Sequence, residues 1–354
     1  MGQLDSMDCN FERGGEALAR GKIFVTRVIP RPGLDLLREH ALVELNESDT
    51  PLSREQLHEH ALRVDGMLTL LTDSIDGDVI GGTSSLKVVA NCAVGFDNVN
   101  IGVATELGIA ITNTPGVLTD TTADFAWALM MAAARRVVEA DVYTRAGKYH
   151  GWGIQLFLGH DVHHATLGIV GMGRIGHGMA RRASGFDMRV LYSDEVRLSP
   201  EQERDLNVSY VDLDTLLSES DFVSIHVPLT EETRHLMNWE RFQTMKPTAI
   251  LVNTSRGPVI KEADLARALE KGVLAGAALD VFEEEPAVFP GLVALPNVVL
   301  APHIASASHT TRARMATMAA ENCLAVLEGK TPPNAVNPQV LQSGLFKERL
   351  QTWA

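Results

Sequence analysis

Three polar residues stand directly after apolar runs of strand character: Arg256 after Ile250 to Ser255, Glu285 after Leu279 to Phe282, and His303 after Val298 to Pro302. A guanidinium fork binds a carboxylate through two parallel hydrogen bonds, a geometry that Lys cannot reproduce. A His beside a carboxylate has its cationic form stabilised, so it can hold a proton near neutral pH and pass it to a carbonyl oxygen. The chemistry available to such a set is anchoring of a small acid and proton transfer at its carbonyl. By spacing alone, each of the three reads equally well as a strand-end residue in an ordinary salt bridge or cap. The neighbouring Glu283 and Glu284 are expected to be solvated.

A second constellation bears on a cofactor. Leu167-Gly-Ile-Val170 has strand character and runs into Gly171-Met-Gly-Arg-Ile-Gly176, after which His177 to Ala183 can continue as a helix. Gly171 permits a tight turn, Gly173 lets the backbone approach a pyrophosphate, Gly176 lets helix pack on strand, and the helix start offers N–H groups to phosphate. A further strand, Met188 to Ser193, delivers Asp194, 23 residues after the first glycine. A ribose-binding carboxylate belongs at that distance, and its charge opposes a 2′-phosphate. Together with Glu195 it favours NAD(H), while Arg197 leaves NADP(H) possible. Asp280, inside an apolar run, is expected to be buried and paired, either meeting a nicotinamide amide or capping a loop.

Strand-length apolar runs alternating with helix-length stretches must position these groups. Strands are expected at 22–27, 42–45, 66–71, 86–93 and 108–113, with helical patterns at 32–40, 53–61 and from 75 to 80, which makes one small α/β unit with a parallel sheet. Thr119 to Arg145 reads as one long helix behind the capping residues Thr119, Asp120 and Thr121. After Asp194, strands are expected at 222–227, 249–253, 276–281 and 298–300, completing a doubly wound domain. A last helical pattern, Ser308 to Glu328, is expected to cross back to the first unit.

The chain has 354 residues, 45% of them hydrophobic, enough for two domains with buried cores. Its 31 Lys and Arg against 45 Asp and Glu give a net charge of −14, which argues against a nucleic-acid or anionic-membrane surface. Cys9, Cys92 and Cys323 show no metal-type spacing and fit a reducing compartment, so a cytoplasmic protein is expected. No apolar run approaches membrane-spanning length, and the acidic residues within 1–22 are unlike a signal peptide. His150, His160, His163 and His164 lie close in sequence without a carboxylate cluster to complete a ligand set, so no metal is expected.

The chain resembles the D-2-hydroxyacid dehydrogenase family, and within it the glyoxylate/hydroxypyruvate reductases. The resemblance runs from about Lys22 to Pro338, through Asn91 to Asn98, Asn113 to Asp124, the glycine turn, Asn253 to Gly257, Leu279 to Pro286 and Pro302 to Ser308. It implies a doubly wound Rossmann nucleotide-binding domain over 114–304 and a smaller flavodoxin-like α/β substrate domain over 22–113 and 305–338. A mobile tail over 1–21 and a C-terminal tail over 339–354 complete the division. It implies that Arg256 holds the substrate carboxylate and keto oxygen, His303 is the acid/base and Glu285, directly before Pro286, is its partner. Val94 and Gly95 would offer backbone N–H groups to the carboxylate. Arg174 and Ile175 would meet the pyrophosphate, Asp194 the adenosine ribose, Val227, Pro228 and Thr233 the nucleotide, Thr254 the nicotinamide ribose, and Asp280 the carboxamide.

The resemblance also implies a homodimer, with the segment around Trp152 to Leu158 as its arm, and a cleft that closes to exclude water. Two departures stand out. Asp194-Glu195 occupies the place where NADPH-preferring reductases carry a small polar residue followed by Arg, which points to NADH. Ala305 replaces the usual Gly after the His motif, which bears on fine substrate choice. The expected activity is reduction of small 2-oxo acids such as glyoxylate and hydroxypyruvate to D-2-hydroxy acids. The alternatives are 2-ketogluconate, phosphohydroxypyruvate or another oxo acid as substrate, and an NAD(H)-sensing corepressor-like protein.

Overall fold

The computed structural model describes residues 21–48 and 50–352, so the tail expected over 1–21 lies, Gly21 apart, outside the described residues. The chain forms two compact units, one from Met1–Pro115 with Ala313–Ala354, the other from Gly116–Arg312.

The first unit carries β1 (Lys22–Val25), α1 (Arg31–His40), β2 (Leu42–Leu45), α2 (Arg54–Ala61), β3 (Gly66–Thr69), α3 (Gly77–Ile80), β4 (Val88–Asn91), α4 (Ile101–Glu106) and β5 (Ala110–Thr112). The strands pair in parallel in the order β2-β1-β3-β4-β5, the flavodoxin-like arrangement. Parallel strands must be covered on both faces, which is why they read as unbroken apolar runs. Phe24, Met67, Val89 and Ile111 pack there with Leu57 and Ile80 from the helices. Ser53 starts α2 with a capping box, its hydroxyl accepting from the Gln56 N–H while the Gln56 side chain accepts from the Ser53 N–H.

The second unit runs α5 (Thr119–Ala134), α6 (Val137–Arg145), β6 (Thr166–Val170), α7 (Arg174–Ala183), β7 (Arg189–Ser193), α8 (Pro200–Leu206), β8 (Val208–Tyr210), α9 (Leu213–Glu219), β9 (Phe222–Ile225), α10 (Trp239–Thr244), β10 (Ile250–Asn253), α11 (Glu262–Glu270), β11 (Gly276–Leu279), α12 (Pro290–Val293) and β12 (Val298–Leu300). Its sheet has the order β12-β11-β10-β9-β6-β7-β8, every pair parallel. Alternate residues serve two cores: Leu167, Ile169 and Val252 meet Ala123, Trp127 and Met179 on one face. Val170, Ile225 and Leu251 meet Leu216, Phe242 and Leu265 on the other. The winding reverses between β6 and β9, and a doubly wound sheet binds ligands beyond the carboxyl ends of its strands at such a switch point.

The helix expected over 119–145 is two helices. Arg136 takes a left-handed φ of 54° between α5 and α6, and its guanidinium grips Glu139 in the new first turn at 3.0 and 2.7 Å. No Pro or Gly marks the break. The three-residue edge strand β8 was likewise not expected.

The chain returns to the first unit along α13 (His309–Leu327), close to the expected pattern, and ends in α14 (Gly344–Gln351). Asn337 fastens the return: its side-chain oxygen accepts from the Ile111 N–H at 2.8 Å and its amide donates to Ile109 O at 3.0 Å. Residues set apart as a C-terminal tail are held to the same unit, since Arg349 donates to Leu107 O at 2.7 Å and Leu86 O at 2.9 Å.

Candidate active site

All three residues of the first constellation lie at the carboxyl edge of the second unit's sheet. Arg256 follows β10, with its carbonyl oxygen accepting from the Asn253 side chain at 2.9 Å and its Nη1 donating to Ser255 O at 2.8 Å. Glu285 follows β11 and His303 follows β12. Glu285 Oε2 lies 2.8 Å from His303 Nδ1, and Glu285 Oε1 accepts from the Phe282 N–H at 3.0 Å. Burial raises the affinity of the Glu285 carboxyl for a proton. The His303 hydrogen bond and charge, the Phe282 N–H and the Arg256 charge together outweigh it and hold the pKa below the ordinary value.

Asp280 is fully buried at the end of β11 and is committed to the His303 turn. Its Oδ1 accepts from the Ile304 N–H and its Oδ2 from the Ala305 N–H, both at 2.8 Å, while its backbone oxygen accepts from the His303 N–H at 2.8 Å. Of the two roles open to it from sequence, the loop cap is seen directly, and these bonds leave the nicotinamide amide contact as an expectation. His303 itself adopts φ 54°, the strained left-handed region for a non-glycine residue, and this threefold grip is what over-determines it. Burial pushes the Asp280 carboxyl up, against the opposing pull of the Ile304 and Ala305 N–H groups.

The glycine turn sits at the switch point. Gly171 has φ 95°, and a Cβ there would come within 2.7 Å of the His226 carbonyl carbon and 2.8 Å of the Val227 nitrogen, so only glycine fits between the ends of β6 and β9. A Cβ on Gly176 would strike Gly171 O at 2.4 Å, whereas one on Gly173 would meet nothing within 4 Å. No side chain caps α7, whose N-cap is Gly173 and whose first residues are Arg174 and Ile175. Asp194 closes the turn from β7, accepting from the Met172 N–H at 2.6 Å and from the Val196 N–H at 3.0 Å. The cradle suits a dinucleotide pyrophosphate: an uncapped helix start, open space over Gly173, and a carboxylate fixed beside the turn.

Further contacts expected for the nucleotide divide. The Thr254 hydroxyl, after β10, is buried and has no hydrogen-bond partner among the described residues. Val227 and Pro228 lead a loop after β9 in which Thr233 Oγ1 donates to Pro228 O at 2.6 Å, so that hydroxyl is used within its own loop. In the first unit, the Val94–Gly95 turn follows β4. Asn113 donates to Val94 O at 2.8 Å and Asn91 to Gly95 O at 3.0 Å, fixing both carbonyls of the turn.

Sequence reasoning missed several groups. Glu283 is not solvated: its Oε1 is 2.6 Å from His235 Nε2, while Glu284 is exposed. His226, beside the glycine turn, pairs its Nε2 with Ser224 Oγ at 2.8 Å, and burial lowers its pKa to about 3, so it stays neutral. Lone polar residues without a motif around them gave no signal for these partners. Among the described residues, no three His, Cys, Asp or Glu side chains are gathered as a metal site would require, and no helix is long and apolar enough to cross a membrane.

A glycine turn at the switch point of one doubly wound sheet, with an Arg, a His–carboxylate pair and a buried orphan hydroxyl along the same edge, defines a nicotinamide-dinucleotide-dependent dehydrogenase. Comparison with known proteins narrows the class. Residues 127–305 match the model of the D-isomer specific 2-hydroxyacid dehydrogenase, NAD binding domain. The glyoxylate reductase of Korarchaeum cryptofilum is 54% identical over 324 residues, covering 91% of this chain and 97% of that protein. That of Thermococcus onnurineus is 50% identical over 324 residues, covering 90% and 97%. The solved NADPH-dependent glyoxylate/hydroxypyruvate reductase of Sinorhizobium meliloti, in complex with NADP and malonate, superimposes with a TM-score of 0.80 at 30% identity, covering 90% of this chain and 98% of that one. The chain belongs to the D-isomer specific 2-hydroxyacid dehydrogenase family. It is an NAD(P)-dependent oxidoreductase of 2-oxo and 2-hydroxy acids.

The Glu285–His303 pair gives a stability signature. A depressed carboxyl pKa means that the pair's stabilisation is complete above the unfolded-state value and is lost as pH falls through the folded-state value. Glu285→Gln is therefore expected to melt below the parent near pH 7, with the gap closing as pH drops through the acid range. Melting curves from pH 7 to pH 3 measure this, and a gap that stays constant contradicts it.

Proposed function

We propose that this chain reduces small 2-oxo acids, glyoxylate and hydroxypyruvate foremost, to 2-hydroxy acids, with NADH as the preferred reductant and His303 as the proton donor. The observation that carries the reading is the 2.8 Å contact of Glu285 Oε2 with His303 Nδ1 on the sheet edge that also holds the glycine turn. The printed activities of relatives about half identical to this chain support the substrate choice.

When bound, the reduced nicotinamide supplies a hydride to the carbonyl carbon. Because Nδ1 of His303 is turned to Glu285, its Nε2 is the ring atom that holds the proton passed to the keto oxygen. Arg256 anchors the substrate carboxylate, and its charge stabilises the oxygen as it becomes negative. The Val94–Gly95 turn is proposed as a backbone N–H site for the same carboxylate. A positioned general acid contributes roughly 10²- to 10⁴-fold to rate.

The NADH preference is argued from charge. Asp194, fixed by the Met172 and Val196 N–H groups, keeps lone pairs for ribose hydroxyls and opposes a 2′-phosphate. Arg197, the cation that would offset it, is bound by Glu203 at 2.8 and 3.0 Å, and its guanidinium lies 5.3 Å from the Tyr210 ring centre. NADP(H) is the second cofactor of this reading, in line with the complex of the Sinorhizobium relative.

A homodimer is proposed from the exposed apolar run Trp152, Ile154 and Leu158, which are 81%, 75% and 66% exposed. It adjoins a groove of about 490 Å³ lined by Tyr143, Phe157, Leu158 and the amino-terminal edge of β10 to β12, away from the candidate active site. Isolated surface hydrophobics need no explanation, but a contiguous patch of this kind marks an interaction face.

Three outcomes are expected. Purified protein should oxidise NADH with glyoxylate and hydroxypyruvate, and His303→Ala should lower kcat about 10²- to 10⁴-fold while leaving NADH binding intact; retained turnover in that variant would refute the acid/base role. Asp194→Ala should narrow the NADH-to-NADPH ratio of kcat/KM by about tenfold or more, the loss of one charge contact at roughly 1.5 kcal/mol, and an unchanged ratio would place discrimination elsewhere. In sedimentation velocity the parent should run as a dimer and Trp152→Glu as a monomer, whereas a monomeric parent overturns the dimer.

A further inference from the structure

The loop that carries Glu285 and the turn that carries Arg256 are in direct backbone contact. A Cβ on Gly257 would lie 1.8 Å from Phe282 O and 2.5 Å from the Glu283 nitrogen, so residue 257 rests on the peptide joining Phe282 to Glu283. The same Phe282 donates its N–H to Glu285 Oε1 at 3.0 Å. Phe282 therefore links the two, meeting Glu285 through its N–H and the neighbour of Arg256 through its carbonyl, so a shift of this residue is felt at both.

Glu283 is what holds that peptide. Its N–H donates to Glu262 Oε1 at 2.8 Å, and its own Oε2 accepts from the Glu262 N–H at 2.9 Å, a reciprocal bond to the first residue of α11. A carboxylate facing a helix N-terminus is favoured by the helix dipole. Glu283 Oε1 takes up the third contact, 2.6 Å from His235 Nε2. His235 is in turn fixed, with φ 53° and its N–H donating to Pro258 O at 2.8 Å, one residue beyond Gly257. The Glu283 side chain thus ties its own loop to the start of α11 and to His235, and His235 passes the tie through its N–H to the turn after Arg256.

We infer that Glu283, with His235 as its hydrogen-bond partner, is a positioning residue that sets Glu285 and Arg256 in their working geometry. It does so through the Phe282–Glu283 peptide, without touching substrate. The inference rests on the roles proposed above for Arg256, Glu285 and His303. It separates Glu283 from Glu284, which is exposed and whose carbonyl accepts from the Ala287 N–H.

The test compares Glu283→Ala, Glu283→Gln and His235→Asn with Glu284→Ala and His303→Ala, measuring kcat, KM for glyoxylate and the dissociation constant of NADH by fluorescence titration. Asn is chosen at 235 because it tolerates a left-handed backbone. Glu283→Ala is expected to lose tenfold or more in kcat with NADH binding unchanged. Glu283→Gln, which keeps an acceptor for the Glu262 N–H, should recover to within about threefold of the parent, a rescue that loss of bulk stability alone would not give. Glu284→Ala should match the parent. Parent kcat in Glu283→Ala, or a loss shared equally by Glu284→Ala, overturns the inference. If Glu283→Ala does not fold, His235→Asn decides: a fall in kcat beyond about threefold with NADH binding unchanged supports the inference, and the parent kcat overturns it. Turnover surviving in His303→Ala would instead sink the underlying site reading, whatever the Glu283 variants do.

Discussion

A carboxylate taken out of water must find donors, and at the end of β11 Asp280 finds them all in one turn. Its two side-chain oxygens and its backbone oxygen receive the N–H groups of three consecutive residues, 303 to 305. An unmet buried charge costs several kcal/mol, so the turn is held as firmly as the strand it follows. The left-handed backbone of His303 persists on that account. With the ring placed, Glu285 can meet Nδ1, and Arg256 lends its charge to the same carboxylate. The His303–Glu285 geometry is thus built from the core outward.

The cofactor cradle follows a different economy. Gly171, between β6 and β9, admits no side chain because two strand ends converge there with opposite winding. The turn this permits leaves α7 uncapped and its first N–H groups directed at the place where a pyrophosphate would lie. In the proposed cofactor site Asp194 does double duty, since the N–H it takes from Met172 fixes the turn while its charge would face the ribose. On that reading, phosphate recognition and the bias between the two nicotinamide cofactors are fastened to each other.

The legible parts of this molecule were those in which backbone geometry restricts residue type. The glycine turn, the distal Asp194 and the alternation of apolar runs could be read because few residues satisfy those constraints, whereas spacing placed Arg256, Glu285 and His303 at strand ends without separating a site from ordinary salt bridges. What escaped notice was set by long-range partners. Nothing near Glu283 reveals that His235 and Glu262 will meet it. The break at Arg136 has no Pro or Gly, only a guanidinium that finds Glu139 and the Phe157 ring. Asn91 and Asn113 stood in plain view within the matching motifs, yet their hold on the Val94 and Gly95 carbonyls is a tertiary fact. Asp280 fell between: its burial was readable, while its grip on the three N–H groups of the next turn is a tertiary fact.

The second unit is a single uninterrupted stretch, Gly116 to Arg312, set inside the first, whose β5 waits for Ala335 and Asn337 to complete its edge. Synthesis runs from the amino terminus, so the nucleotide-binding sheet leaves the ribosome entire while the first unit still lacks Asn322, Asn337 and Arg349. The half that precedes the second unit in the chain is therefore the one whose sheet edge is completed last, by residues made after every strand of the cofactor cradle.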